Sequence, residues 1–100
     1  MNKDIIDIIN HFGVNAQQRK LMEEIFELQE SITQYEMVKK DKSMYSADYF
    51  NKLHNHIIEE LADVMLILNQ FKKYYSIIDE EINDITQIKV DRVFKRIENQ

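Results

Sequence analysis

The chain has no cysteine, no proline and a single glycine, and nowhere in its 100 residues is there a long apolar run. Without cysteine there is no disulfide framework and no thiolate for metal or nucleophilic chemistry. With no proline and only Gly13 as a glycine, tight turns are scarce, and the many Ile, Leu, Glu and Lys residues favour long helices. The lack of an apolar stretch of spanning length argues against a membrane protein. No basic-then-apolar leader opens the sequence, so a cytoplasmic protein is expected. Cations are in the minority: 13 Lys and Arg stand against 18 Asp and Glu, for a net charge of -5. A duplex nucleic-acid binder needs clustered cations to displace counterions, so that class is disfavoured. An acidic chain can still bind a nucleotide where a metal ion bridges carboxylates to phosphates.

What is present is ordinary globular composition, 44% hydrophobic and 31% charged. It suffices for one domain over residues 1–100 with a modest core. The expected fold class is all-α, a four-helix bundle-like arrangement. The first helix is expected over 4–11, closed by Phe12-Gly13 with Gly13 in the left-handed αL conformation. Asn15-Ala16-Gln17-Gln18 reads as a capping box for a second helix over 16–38. Polar residues 39–43 connect it to a third, over 47–75, with Ser46 as N-cap and a dip in helix propensity near 51–55. Ser76-Ile77-Ile78-Asp79 caps a fourth helix that runs to about Glu98.

An acidic pattern occurs twice. Leu21-Met22-Glu23-Glu24-Ile25-Phe26-Glu27-Leu28 and Ile57-Ile58-Glu59-Glu60-Leu61-Ala62-Asp63-Val64 share two apolar residues, two Glu, an apolar residue, any residue, an acid and an apolar residue. At 100° per residue, Leu21, Ile25, Leu28, Ile32 and Tyr35 form an apolar seam on the second helix. Phe50, Leu53, Ile57, Leu61, Val64, Leu68, Phe71 and Tyr75 do so on the third. Glu24 and Glu27 flank the first seam by about 60° and 120°, Glu60 and Asp63 flank the second alike, and Glu23, Glu30 and Glu59 face away. If the seams pack antiparallel, Glu24, Glu27, Glu60 and Asp63 meet along one edge. Four carboxylates at close range repel, so some stay protonated, the helices splay, or a cation sits between them. An oxygen-only ligand set suits Mg²⁺ or Mn²⁺ better than Zn²⁺. A single such pattern would be read as a solvated helix face; two in the same phase against two seams favour a metal site.

This E-E-x-x-E followed by E-x-x-D resembles the signature of the all-α nucleoside triphosphate pyrophosphohydrolases, the MazG-like and dimeric dUTPase-like superfamily. The resemblance spans about residues 13–96. It departs from the family in spacing, since residues 28–59 separate Glu27 from Glu60, at or beyond the family's long end. It implies cleavage of a nucleoside triphosphate between the α and β phosphates, with Glu24, Glu27, Glu60 and Asp63 holding Mg²⁺ and one carboxylate, Glu24, as general base. Phosphoribosyl-ATP pyrophosphohydrolase resembles the same acidic pattern.

On the fourth helix Ile78, Ile82 and Ile85 line one face, and Lys89, Arg92 and Arg96 continue that line. Arg and Lys donors suit phosphate oxygens, which makes Lys89 and Arg92 candidate phosphate-binding residues; the same cations also complement a helix C-terminus. They loosely match the family's K-x-x-x-N-x-x-R-like run, with Asp91 and no Asn between them. Lys20 is read as an i,i+4 partner for Glu24. His54 and His56 point about 200° apart on a helix and share no ion. Ile58, Ala62, Met65 and Leu66 fill a spare apolar face of the third helix, which implies a homodimer or dimer of dimers. A second reading, from another class, is a non-catalytic oligomerisation or adaptor module, or a degenerate relative that binds nucleotides without turnover.

Overall fold

The computed structural model describes residues 3–100, and all the regular structure among them is helical. Helix α1 spans Ile6–Phe12, α2 Val14–Lys39, α3 Ala47–Tyr74 and α4 Asp79–Glu98, with a single 3-10 turn at Lys42–Met44. No helix among the described residues is long and apolar enough to cross a membrane.

Gly13 alone joins α1 to α2. Its N–H donates to the Ile9 carbonyl (2.8 Å) and its carbonyl accepts from the Gln17 N–H (3.1 Å), so one residue serves both helix ends. Its backbone lies at φ 90°, ψ 156°. That is the extended positive-φ region reserved for glycine, rather than the expected αL. The expected capping box at Asn15–Gln18 is absent: α2 already begins at Val14, without a side-chain cap, and Gln17 turns inward instead. Ser46 does cap α3, its Oγ accepting from the Tyr49 N–H (3.2 Å). The helix then runs unbroken through 51–55. Its C-terminus is a Schellman motif. Ser76 adopts φ 55°, the Ile77 N–H donates to the Lys72 carbonyl (2.8 Å) and the Ser76 N–H to that of Lys73 (3.1 Å). At the start of α4 the Glu81 carboxylate accepts from the Ile78 N–H (3.1 Å), which gives half of a capping box.

Helices α2 and α3 form an antiparallel hairpin, since Gln17 meets Gln70 while Tyr35 packs edge-on against Phe50. Its joint is a heptad seam. On α2 the buried positions Gln17, Glu24, Ser31 and Val38 recur every seven residues, interleaved by half-buried Leu21, Leu28 and Tyr35. On α3 Leu53, Glu60 and Ile67 recur likewise, interleaved by Phe50, Ile57, Val64 and Phe71. This is the spacing that lets side chains of one helix fill holes in the other. The seam is therefore rotated from the one the apolar pattern predicts. Glu24 and Glu60 sit inside it rather than beside it, while Ile25 (49% exposed), Ile32, Leu61 and Leu68 face out.

The rotation gives the hairpin two unlike faces. At 100° per residue, Lys20 and Glu27 of α2 and His56 and Asp63 of α3 fall on one side. Ile25 and Ile32, with Leu61 and Leu68, fall on the other. Helix α1 lies on the first side, buries Ile9, and contributes Ile8 and Phe12 to a cavity above the seam. Every residue of α4 is exposed, and the packing of the chain is that of α1, α2 and α3. One copy thus makes a three-helix body with a helix standing off it.

Candidate metal centre

The acid cluster is made by position in the heptad. Glu24 occupies the α2 seam one heptad after Gln17, and Glu60 occupies the α3 seam one heptad before Ile67, so antiparallel packing brings them level. Asp63, three residues beyond Glu60, joins from the α1 side. One carboxylate oxygen from each of Glu24, Glu60 and Asp63 lies within 4.8 Å of the others. Glu24 is 5% and Glu60 9% exposed, whereas Asp63 reaches solvent.

Glu27 lies at the exposed edge, next to Glu24 and Glu60 but outside that set of three. The neighbouring Glu24 carboxylate raises its proton affinity above that of an ordinary glutamate, with desolvation and the Glu60 carboxylate adding to the effect. Three of the four acids in the sequence pattern thus meet, with Glu27 at their margin, and by a different rotation from the expected one.

Protein cations satisfy only part of this charge. Lys20 Nζ lies 3.0 Å from Glu24 Oε1 and 3.9 Å from Glu23 Oε2, as an i,i+4 partner should. The hydrogen bond to Glu24 raises the proton affinity of Lys20 in turn. His56 Nε2 lies 3.2 Å from Glu60 Oε1. The opposite oxygens, Glu24 Oε2 and Glu60 Oε2, are buried and have no hydrogen-bond donor. An unpaired buried carboxylate oxygen is costly, so two in one cluster require an explanation. A hard divalent cation fits this donor set, which consists of carboxylate oxygens with solvent on one side.

Comparison of the chain with protein-family models, curated proteins and solved structures finds no match.

Lys89 and Arg92 lie on α4, where every side chain is exposed, and neither lines the cavity beside the acids. The connection between α2 and α3 does not line that cavity either. Helix α2 continues 12 residues past Glu27 and α3 begins 13 before Glu60, about three and a half turns each. The long spacing between the acidic motifs is thus spent on lengthening the hairpin, and places the 3-10 turn roughly 20 Å from the cluster.

Sequence reading missed two features. His56 is one: its angle to His54 says nothing of Glu60, whereas its i,i+4 spacing to Glu60 is legible and the two meet. The other is the buried pair Gln17 and Gln70, whose side chains bond at 2.8 Å, Gln17 Nε2 donating to Gln70 Oε1. Only the seven-residue step from Gln17 to Glu24 hints at it.

Proposed function

We propose that the protein is a Mg²⁺- or Mn²⁺-dependent nucleotide pyrophosphohydrolase of the MazG-like kind, which converts a nucleoside triphosphate to the monophosphate and pyrophosphate. The observation that carries this reading is the pair of buried, donorless oxygens, Glu24 Oε2 and Glu60 Oε2, within a cluster of acids. Glu24, Glu27, Glu60 and Asp63 would hold the ion, which when bound supplies charge neutralisation for the phosphate chain and a more acidic water. The chain's own contribution is placement. Glu24, fixed by burial and by Lys20, takes the proton of the attacking water. Lys20 and Arg19, on the wall of the adjoining cavity, offer donors to phosphate oxygens. Lys89 and Arg92 reach the phosphates from α4 only once that helix packs, which in this reading happens in a homodimer or dimer of dimers.

The bare apolar face of the hairpin favours a second reading, a helical oligomerisation module with no substrate. Pyrophosphate release from a panel of ribo- and deoxyribonucleoside triphosphates with Mg²⁺ separates the two. The enzyme reading expects release that disappears in Asp63→Asn and Glu24→Gln. It also expects a melting temperature that rises with Mg²⁺ or Mn²⁺ in the wild type and not in the variants. No release from any triphosphate, with a melting temperature indifferent to metal, would leave the oligomerisation module.

A further inference from the structure

Beside the acid cluster, a cavity of about 610 Å³ lies between α1 and the hairpin, within the size range of small-molecule sites. We propose that it takes the heterocyclic base of a nucleotide whose phosphates lie on the acids, an assignment that rests on the reading above.

Three observations point to this ligand. The cavity is continuous with the acid cluster, because Glu24 and Asp63 form one of its walls. A ligand that fills it is therefore already at the charged site, and Lys20 stands at the junction. Ile8, Phe12, Ala16, Leu66 and Ile67 give the cavity an apolar part, which includes an aromatic ring that no core claims. Phe12 is 61% exposed although it closes a helix, and the one ring packed on it among the described residues is His11, edge-on at 4.7 Å. A planar ring stacks on such a face whatever its edge pattern. Leu66 and Ile67 lie across from α1 on the same cavity.

The third observation is the Gln17–Gln70 pair, whose side chains also line the cavity. Gln70 is 1% and Gln17 7% exposed. Two amides placed where a heptad seam would take leucine weaken the seam by comparison with an apolar pair. Their mutual bond fixes both amide planes but uses one donor of Gln17 and one acceptor of Gln70. Each amide keeps further donor and acceptor capacity. Whichever way the amides are flipped, one is the donor and the other the acceptor, so the combined edge offers both kinds of group. A nucleobase edge presents both kinds. An acyl chain would leave the amides unmatched, whereas a planar heterocycle uses both the amides and the Phe12 face.

The test is titration calorimetry of the 100-residue chain with Mn²⁺, comparing nucleoside triphosphates, inorganic tripolyphosphate and free nucleosides. The expected result is that at least one nucleoside triphosphate binds about tenfold or more tighter than tripolyphosphate, and that Phe12→Ala removes most of that margin without weakening tripolyphosphate. Gln70→Met, of similar volume, should change the ranking of bases. Phe26→Ala, at an exposed phenylalanine outside the cavity, should change nothing. Equal affinity for tripolyphosphate and every nucleoside triphosphate would overturn the base site and leave the metal reading standing. Nucleoside binding that depends on Phe12, with no binding of Mn²⁺ or tripolyphosphate, would do the reverse. Absence of all binding would overturn both.

Discussion

Glu27 carries the electrostatic strain of the acid cluster at a place where solvent can relieve it. Its proton affinity is raised, first by the Glu24 carboxylate, then by desolvation and by Glu60. A raised folded-state value means that the native chain binds this proton more tightly than the unfolded chain does. The contribution to stability is therefore present below the ordinary glutamate range and is lost as pH rises through the raised value. At neutral pH the ionised Glu27 destabilises the metal-free protein. Glu27→Gln should then melt higher than the wild type in EDTA at neutral pH, with the two curves converging as pH drops below the ordinary glutamate range. With Mn²⁺ the order should reverse if Glu27 is one of the ion's ligands, as proposed. Melting curves across pH, with and without Mn²⁺, check both signs; curves that stay parallel throughout would remove Glu27 from the cluster. A residue that weakens the fold and serves the ligand is the expected signature of a functional site. The buried glutamines at 17 and 70 have the same character.

The helices themselves owe their limits to a few backbone positions. Gly13 is one of them. A Cβ added there would meet nothing within 4 Å, so space does not demand glycine. The demand comes from φ 90°, ψ 156°, where a side chain is strained whatever surrounds it. Gly13→Ala should cost about 1–2 kcal/mol in urea unfolding. Gly13→Asn should cost as much, since asparagine tolerates αL but not this region; rescue by asparagine would show an αL turn. The places where helices end were readable, because Gly13, Ser46 and Ser76 stand out in a sequence otherwise made of helix formers, although Ser76 closes α3 rather than capping α4. The acid pattern was readable because its two copies repeat in phase. The rotation of the seam was not. Ile25, Ile32, Leu61 and Leu68 are as apolar as Leu21, Leu28, Ile57 and Val64, so periodicity alone averages two adjoining stripes into one. It takes packing to show that the hairpin joint runs through Glu24, Ser31 and Glu60, leaving the second stripe bare. Nor does a glutamine in a first helical turn reveal that its partner lies 53 residues away.

The bare stripe matters most for the molecule as a whole. A compact monomer of 12.1 kDa would expose about 6,000 Å², and this chain exposes 8385 Å². The radius of gyration is 17.9 Å, against about 13 Å for a compact domain of this length. The excess of about 2,400 Å² per copy matches what an obligate interface buries once two copies are counted. It also has the right chemistry, since Ile25, Ile32, Leu61 and Leu68 form one side of the hairpin and α4 adds Ile82, Val90, Val93 and Ile97. A 20-residue helix without tertiary packing is marginal in water, so α4 requires a surface as much as the hairpin does. Sedimentation velocity at micromolar concentration should therefore show a dimer or a dimer of dimers. Ile32→Lys with Leu61→Lys should weaken the assembly by about a hundredfold or more, since it places two charges in a joint that must exclude water. Glu23→Lys, on the opposite side of the hairpin, should leave it intact. If the double variant dissociates and also loses helix by circular dichroism, α4 draws its stability from the second copy. If it dissociates with full helicity, α4 folds back on its own hairpin. A wild type that is monomeric and fully helical at that concentration would instead mean that α4 covers the stripe within one chain, and Lys89 and Arg92 would then have to reach the acids without a partner.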